Sequence, residues 1–266
     1  LTIESRSAER VSAVVDDLQQ TFPDRHRDIS AETLDSVEPD IILLAFGRTI
    51  RPGETREVLL AENAQLVLGR LEGRLRGDPF LIVVTNPVDT ITETLRLKFG
   101  LQPGRLVGVG GDLDAARVQW ALKRPEADVI ALGEHSEQAA FLIDGKPLPE
   151  LGSGGEAIRD LTRDSLRKQL LYLGAPAHCP GRAIIRLLDS LVEDTATRHL
   201  LSIFHQEWGT TLTWPVRVKG MQVVPENLTL PLETRSAVAD IASKNQRMVR
   251  ALLLSLGGPP SIRDAA

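Results

Sequence analysis

A single cysteine, Cys179, is present in 266 residues, which excludes an internal disulfide. No group of Cys and His has the spacing of a zinc site. Basic residues do not predominate: 31 Lys and Arg stand against 36 Asp and Glu, giving a net charge of -5 and no reason to expect nucleic acid or an anionic membrane as a partner. Apolar runs such as Ala251–Leu256 fall far short of the roughly 20 residues that span a bilayer. The opening Leu-Thr-Ile-Glu has neither a basic n-region nor an apolar h-region, so no signal peptide is read and the cytoplasm is the expected compartment. Internal repeats and low-complexity segments are also missing. What is present is ordinary for a soluble globular chain: 25% charged residues, 42% hydrophobic ones, and length enough for one large core or two modest ones.

The hydrophobic pattern predicts a strand at Leu1–Glu4 and an amphipathic helix over Ser7–Gln20, with Val11, Val14, Val15 and Leu18 on one face. Asp40–Phe46 is a continuous apolar run, as expected of a buried parallel strand, and it leads into the polar, Gly- and Pro-containing loop 47–56. Helical spacing follows over Glu57–Leu75, then a second buried strand at Phe80–Thr85, a helix at Val88–Phe99 and a third strand at Arg105–Val109. This alternation builds a parallel sheet covered on both faces. Beyond Gly110-Gly111 the pattern changes. A helix at Leu113–Lys123 and a strand at Asp128–Leu132 precede strong helices at Ala157–Leu173 and Gly181–Glu193. Three antiparallel-looking strands, Leu200–Gln206, Thr210–Val218 and Gln222–Pro231, and a last helix at Thr234–Leu256 complete an α+β half.

Four short segments carry the chemistry: PGETR (Pro52–Arg56), TNPVD (Thr85–Asp89), DLDAAR (Asp112–Arg117) and GEH (Gly133–His135). In this order, and on these elements, they resemble the lactate/malate dehydrogenase family, and the periodic framework agrees from Leu1 to about Leu256. The resemblance implies a Rossmann-type dinucleotide-binding domain over residues 1–111, lacking its first strand, and an α+β catalytic domain over 112–266. It implies hydride transfer between NAD(P) and a small 2-hydroxy or 2-oxo acid, in a homodimer or homotetramer. His135 would take the hydroxyl proton, because an imidazole titrates near neutral pH and works in both directions. Asp114 would orient that ring, and Arg117, on the same helix face, would grip the substrate carboxylate with its planar fork. Arg56, on the loop, would place a fixed positive charge on the developing alkoxide. Asn86 lies at the carboxyl end of a parallel strand, where open α/β sheets bind ligands, and belongs to the implied substrate-binding set as well as, with Gly47, to the implied cofactor set. Read without the resemblance, Asp114 and Arg117 are a helix ion pair contributing about 0.2–0.5 kcal/mol. Arg56 is then a solvated charge and Asn86 a turn former before proline. His26, His178, His199, His205 and Cys179 match no family motif and are read as structural.

The chain also departs from the family. Nothing matches the first glycine-rich turn, which lets backbone N–H groups approach the pyrophosphate; Gly108–Gly111 and Gly152–Gly155 are in other contexts. Either roughly 25–30 leading residues precede Leu1 or the turn has been lost; the first is the expectation, because a sheet missing its central strand would leave backbone groups unpaired and apolar faces exposed. Ser136 replaces the family's glycine after the histidine, Glu137 follows it, the stretch from Arg117 to His135 is short, and Pro176 and Pro180 occupy positions that face the substrate in relatives. These changes keep open a catalytically silent relative that binds a ligand or serves in assembly. Ile50 stands six residues before Arg56, where lactate enzymes carry Gln and malate enzymes Arg, so a second substrate carboxylate would need Arg48 or Arg51. At the end of the second family strand, where an acid binds the ribose of NAD, the chain has Glu4, Ser5 and Arg6; Ser5 falls on the acidic position unless the register shifts by one to Glu4. NAD and NADP both stay open, with a lean to NADP.

Overall fold

The computed structural model of the chain describes residues 1–49, 56–174 and 176–256, apart from the side chains of Arg56 and Glu57. Ile50 and the Arg56 guanidinium therefore lie outside the described residues. β1 (Thr2–Ile3) leads into α1 (Ala8–Thr21), whose first turn is capped by the Ser7 hydroxyl accepting the Arg10 N–H at 3.2 Å. Val11 and Val15, one turn apart, bury the inner face of α1 against Ile29, and β2 (Ser30–Ala31) pairs in parallel with β1. These two strands form a sheet of their own.

Strand and helix then alternate as β3 (Ile41–Leu44), α2 (Arg56–Leu71), β4 (Phe80–Val83), α3 (Val88–Phe99) and β5 (Leu106–Val109). β3, β4 and β5 are parallel, with Ile41 opposite Phe80 and Leu81 opposite Leu106. Every residue of β4 and β5 is buried, the burial that a parallel sheet with covered faces imposes on continuous apolar runs. The reading of 40–46 as a buried strand needs correction. Leu43 and Phe46 are exposed, because among the described residues no strand lies along the outer edge of β3.

The second half comprises α4 (Gly111–Leu122), β6 (Val129–Leu132), β7 (Ala140–Ile143), β8 (Lys146–Pro147), α5 (Ser153–Leu173) and α6 (His178–Val192). The meander β9 (Thr197–His205), β10 (Thr210–Lys219), β11 (Gln222–Pro225) and the long α7 (Leu232–Ser255) follow. β7 and β8 are a tight hairpin that the hydrophobic pattern does not reveal. Its signal is Asp144-Gly145, both at positive φ, the pair that a two-residue hairpin turn favours. β9 joins β5 in antiparallel fashion, so one six-stranded sheet, β11-β10-β9-β5-β4-β3, crosses from the first half into the second. Phe80, Ile82, Leu132, Leu187, Leu201, Leu212 and Val238 meet in a core shared by both halves. Burying each such side chain contributes about 1.5–3 kcal/mol. That sheet and core hold the exits of β4, β5 and β6 in fixed relation.

Candidate active site

The first turn of α4 carries Asp114 and, three residues on, Arg117, so both side chains leave one face of the helix. Arg117 Nη1 donates to Asp114 Oδ1 at 3.0 Å. The other carboxylate oxygen, Oδ2, lies 2.7 Å from His135 Nδ1. Asp114 is buried, and one carboxylate thereby joins a guanidinium and an imidazole. His135 stands just past β6, where Gly133 and Thr213 exchange both backbone N–H···O bonds, at 2.9 and 2.8 Å, and fasten the GEH turn to β10. Gly110 explains how the ring comes so near the start of α4: a Cβ there would sit 2.4 Å from His135 Cγ. The other glycines of the 108–111 cluster serve close packing elsewhere, a Cβ meeting Val88 Cγ2 at 2.6 Å from Gly108 and Thr213 Cγ2 at 2.5 Å from Gly111.

Sequence reasoning passed over Asp89, the last residue of TNPVD. It is buried in the first turn of α3, and its Oδ2 accepts the backbone N–H of His135 at 2.7 Å. Oδ1 accepts the hydroxyls of Ser202 at 2.7 Å and Thr213 at 3.0 Å. Burial pushes the Asp89 pKa up, while the His135 N–H and the two hydroxyls pull against that. One turn further on, Glu93 is also buried and takes Arg96 at 2.7 Å and the Thr211 hydroxyl at 2.7 Å. Thr90 donates to Asn245 of α7 at 2.8 Å, completing a polar layer between α3, β10 and α7. Its only signal in the sequence is a set of polar residues on the inner face of a helix beside a buried strand.

Asn86, at the exit of β4, exposes its side chain, and its carbonyl accepts Asn63 Nδ2 at 2.7 Å. Asn63, fully buried on α2, also accepts the Arg48 N–H at 2.9 Å and donates to the Arg48 carbonyl at 3.0 Å. The stem of the 47–56 loop is thereby tied to the end of β4. Gly47 is needed there, since its φ of +135° suits glycine and a Cβ would meet Asn63 Oδ1 at 2.9 Å. Pro87 and Asp89 share a small cavity wall with Gly133 and Glu134, which brings the β4–α3 junction beside the histidine turn.

Glu4 is committed elsewhere. Its carboxylate accepts the Leu34 N–H at 2.7 Å and pairs with Arg70 at 3.0 Å and Arg74 at 2.8 Å. The Arg74 hydrogen bond holds its pKa below the usual carboxylate value. Ser5 and Arg6 are exposed just beyond it. Gly47 and Asn86 instead stand just past the carboxyl ends of β3 and β4, the side of an open α/β sheet on which ligands bind. For the pyrophosphate, no glycine-rich turn follows a strand ahead of β3 among the described residues. The departures near His135 have local uses: the Ser136 hydroxyl accepts the Gln138 N–H at 2.9 Å, and Arg159 donates to the carbonyls of Glu137 and Ala139.

A second Asp–His couple lies on the other side of α4. Asp112 Oδ2 is 2.9 Å from His199 Nδ1, and His199 Nε2 is 2.9 Å from Ser190 Oγ. The order Ser–His–Asp resembles a nucleophile with its base, but the Ser190 hydroxyl is buried and also donates to the Arg186 carbonyl at 2.9 Å. With Leu200 N–H on Asp112 Oδ1 at 2.8 Å, the set clamps α4 to β9 and α6. Among the described residues, no cluster of His, Cys, Asp and Glu could hold a metal ion, and no helix is long and apolar enough to cross a membrane.

Residues 3–108 match the family described as lactate/malate dehydrogenase, NAD binding domain. Malate dehydrogenase 2 of Rhodopseudomonas palustris is 31% identical over 187 residues, covering 62% of this chain and 58% of that protein. L-lactate dehydrogenase of Kosmotoga olearia is 30% identical over 210 residues, covering 70% and 62%. The chain thus spans about six-tenths of the length of these relatives. In structure it is similar to the malate dehydrogenase from Aeropyrum pernix, with a TM-score of 0.82 and 21% identity over 94% of this chain and 90% of that one, a likeness of fold. The matched domain is described as NAD binding, and nothing in these likenesses carries the lean to NADP drawn from Ser5 and Arg6.

Proposed function

The chain belongs to the lactate/malate dehydrogenase family, and from that premise we propose that it interconverts a small 2-hydroxy acid and its 2-oxo acid with NAD(H). The observation that carries this reading is the Asp114 carboxylate joining His135 Nδ1 at 2.7 Å and Arg117 at 3.0 Å. NAD⁺, when bound, supplies the hydride acceptor, and Gly47 and Asn86 would hold its nicotinamide half. His135 takes the substrate hydroxyl proton during oxidation and returns it to the carbonyl oxygen during reduction. Asp114 accepts from Nδ1–H, which keeps Nε2 as the proton-accepting nitrogen and stabilises the imidazolium that forms. Arg117 has five N–H donors, so its contact with Asp114 leaves others for the substrate carboxylate. Arg56 keeps the part implied by the resemblance, closing a positive charge over the reacting oxygen.

A homo-oligomer is part of this proposal. Leu171, Tyr172 and Leu173 at the end of α5, and Ile185 and Val192 on α6, are large apolar side chains left exposed, as interfaces between subunits require. Sedimentation of the purified protein tests it, a monomer being the adverse result.

The activity is tested by following oxidation of NADH and NADPH by the full polypeptide with pyruvate, 2-oxoisocaproate and oxaloacetate. Turnover with NADH, lost in His135→Asn while NADH binding persists, is the expected result. No turnover with any of these acids, together with no change in NADH fluorescence on adding protein, overturns the reading in favour of a silent relative.

A further inference from the structure

We infer that Asp89 is a positioning residue for His135: from the first turn of α3 its buried carboxylate holds the histidine's backbone N–H and anchors it to the central sheet through Ser202 and Thr213. The inference rests on the proposed role of His135.

Three donors converge on this carboxylate: the His135 N–H at 2.7 Å, the Ser202 hydroxyl at 2.7 Å and the Thr213 hydroxyl at 3.0 Å. Ser202 and Thr213 are direct partners across β9 and β10, so both hydroxyls reach Oδ1 from one register position. All three bonds can form together only if both oxygens accept, which an ionised carboxyl does and an amide or a protonated acid does not. Burying that charge is expensive, and an apolar side chain of similar size is often as stabilising or more so. The three donors and the α3 N-terminus, the positive end of the helix dipole, offset part of that cost. An ion in this place is better explained by what it holds than by what it adds to stability.

It holds one end of a residue whose other end is held by Asp114. The imidazole is fixed at Nδ1 from α4 and the peptide at N–H from α3, so ring and backbone are located by two carboxylates on two helices. Thr213 contributes twice, its backbone bonding Gly133 and its side chain bonding Asp89. Asp89 is also three residues from Asn86, on the segment that leaves β4 toward the proposed nicotinamide site. A single short link therefore sets the spacing between the group that takes the proton and the strand end that holds the hydride acceptor. Misplacement by about 1 Å at such a site costs on the order of 10²-fold in rate.

Asp89→Asn is the test, because it keeps the shape and presents an NH₂ group either to the His135 N–H or to the two hydroxyls. The expected result is a fall in kcat of about 10²-fold with KM and the NADH dissociation constant nearly unchanged, since the defect is one of alignment. Exchange of the His135 amide should quicken by about tenfold or more as its bond is lost. Thr213→Val, which leaves the Gly133 bridge in place, should move both readouts the same way by less. If Asp89→Asn does not fold, Thr213→Val and Ser202→Ala give the reading. An unchanged kcat, or kcat, KM and cofactor binding all falling with the melting temperature, overturns the inference. Should the unsubstituted protein show no turnover, it is the proposed activity that fails, and His135 amide exchange alone then decides for or against Asp89.

Discussion

Asp112 and Asp114 share the first turn of α4, and each lies within hydrogen-bond distance of the Nδ1 of a different histidine, His199 at 2.9 Å and His135 at 2.7 Å. The two couples differ in their surroundings. The His199 side chain is wholly enclosed, and its Nε2 meets Ser190 Oγ, whereas the His135 side chain retains 11% exposure in the crook between α3, α4 and β6. One couple fixes the helix, and the other uses the position so fixed.

This division makes opposite predictions for two substitutions on one turn. Asp112→Asn weakens the bonds to His199, Leu200 and Arg186, and should cost about 1–3 kcal/mol in urea unfolding. Asp114→Asn should leave the unfolding midpoint nearer the unsubstituted value and lower kcat/KM by about 10²–10⁴-fold, the range of a general acid–base contribution. If the larger stability loss fell on Asp114 and the larger rate loss on Asp112, the assignment of roles would be reversed.

Arg117→Lys keeps the charge and removes the fork. Charge-assisted bonds of this kind contribute about 1.5–3 kcal/mol each, so kcat/KM for any 2-oxo acid should fall at least about tenfold. Guanidine added to the assay of an Arg117→Ala variant should restore part of the rate. Equal activity of the lysine variant would show that the guanidinium serves only Asp114.

The structure also indicates how far the sequence could be read. α3 runs from Val88 to Phe99 as the spacing predicts, because Pro87 and Gly100 mark its ends and Gly100 takes the left-handed conformation. α5 begins at Ser153, four residues before the predicted Ala157, since Gly154 and Gly155 read as loop although Gly155 packs closely on the Leu148 carbonyl. Asp114, Arg117 and His135 could be picked out because their order resembles a known pattern. Asp89 and Asn63 could not, because periodicity sorts residues into apolar and polar faces and gives no cue that a polar side chain points inward. Their partners are backbone groups and hydroxyls brought close by β9, β10 and the loop stem, contacts that local spacing does not encode.

Glu4 yields a pH prediction. Its carboxyl is held below its ordinary value by Arg74, so the folded state binds its proton more weakly than the unfolded state. The tie between the β1–β2 pair and α2 is therefore fully present above the ordinary carboxylate range and is lost as pH falls through the lower, folded value. Amide exchange at Ser30, whose N–H bonds the Leu1 carbonyl at 3.0 Å, followed from about pH 6 to about pH 3 and corrected for its intrinsic pH dependence, should show protection declining in acid. Arg74→Ala should flatten that dependence; a profile unchanged by the substitution would place the acid sensitivity elsewhere.

The last prediction concerns substrate choice and rests on Ile50, which lies outside the described residues. Six positions before Arg56, it falls where the family resemblance implies the residue that discriminates between substrates. An isoleucine offers no donor to a second carboxylate, and burying an unpaired charge against it is costly, whereas an apolar 2-oxo acid gains contact area there. The relatives do not decide the matter, since both malate and lactate dehydrogenases are among them. Steady-state kcat/KM should therefore be higher for pyruvate or 2-oxoisocaproate than for oxaloacetate, and Ile50→Arg should move preference toward the dicarboxylate by about tenfold or more, the effect of supplying a charge-assisted bond. Oxaloacetate as the preferred substrate of the unsubstituted protein would overturn this reading. Arg48 and Arg51 would then be the residues to replace, one at a time, to find the partner of the second carboxylate.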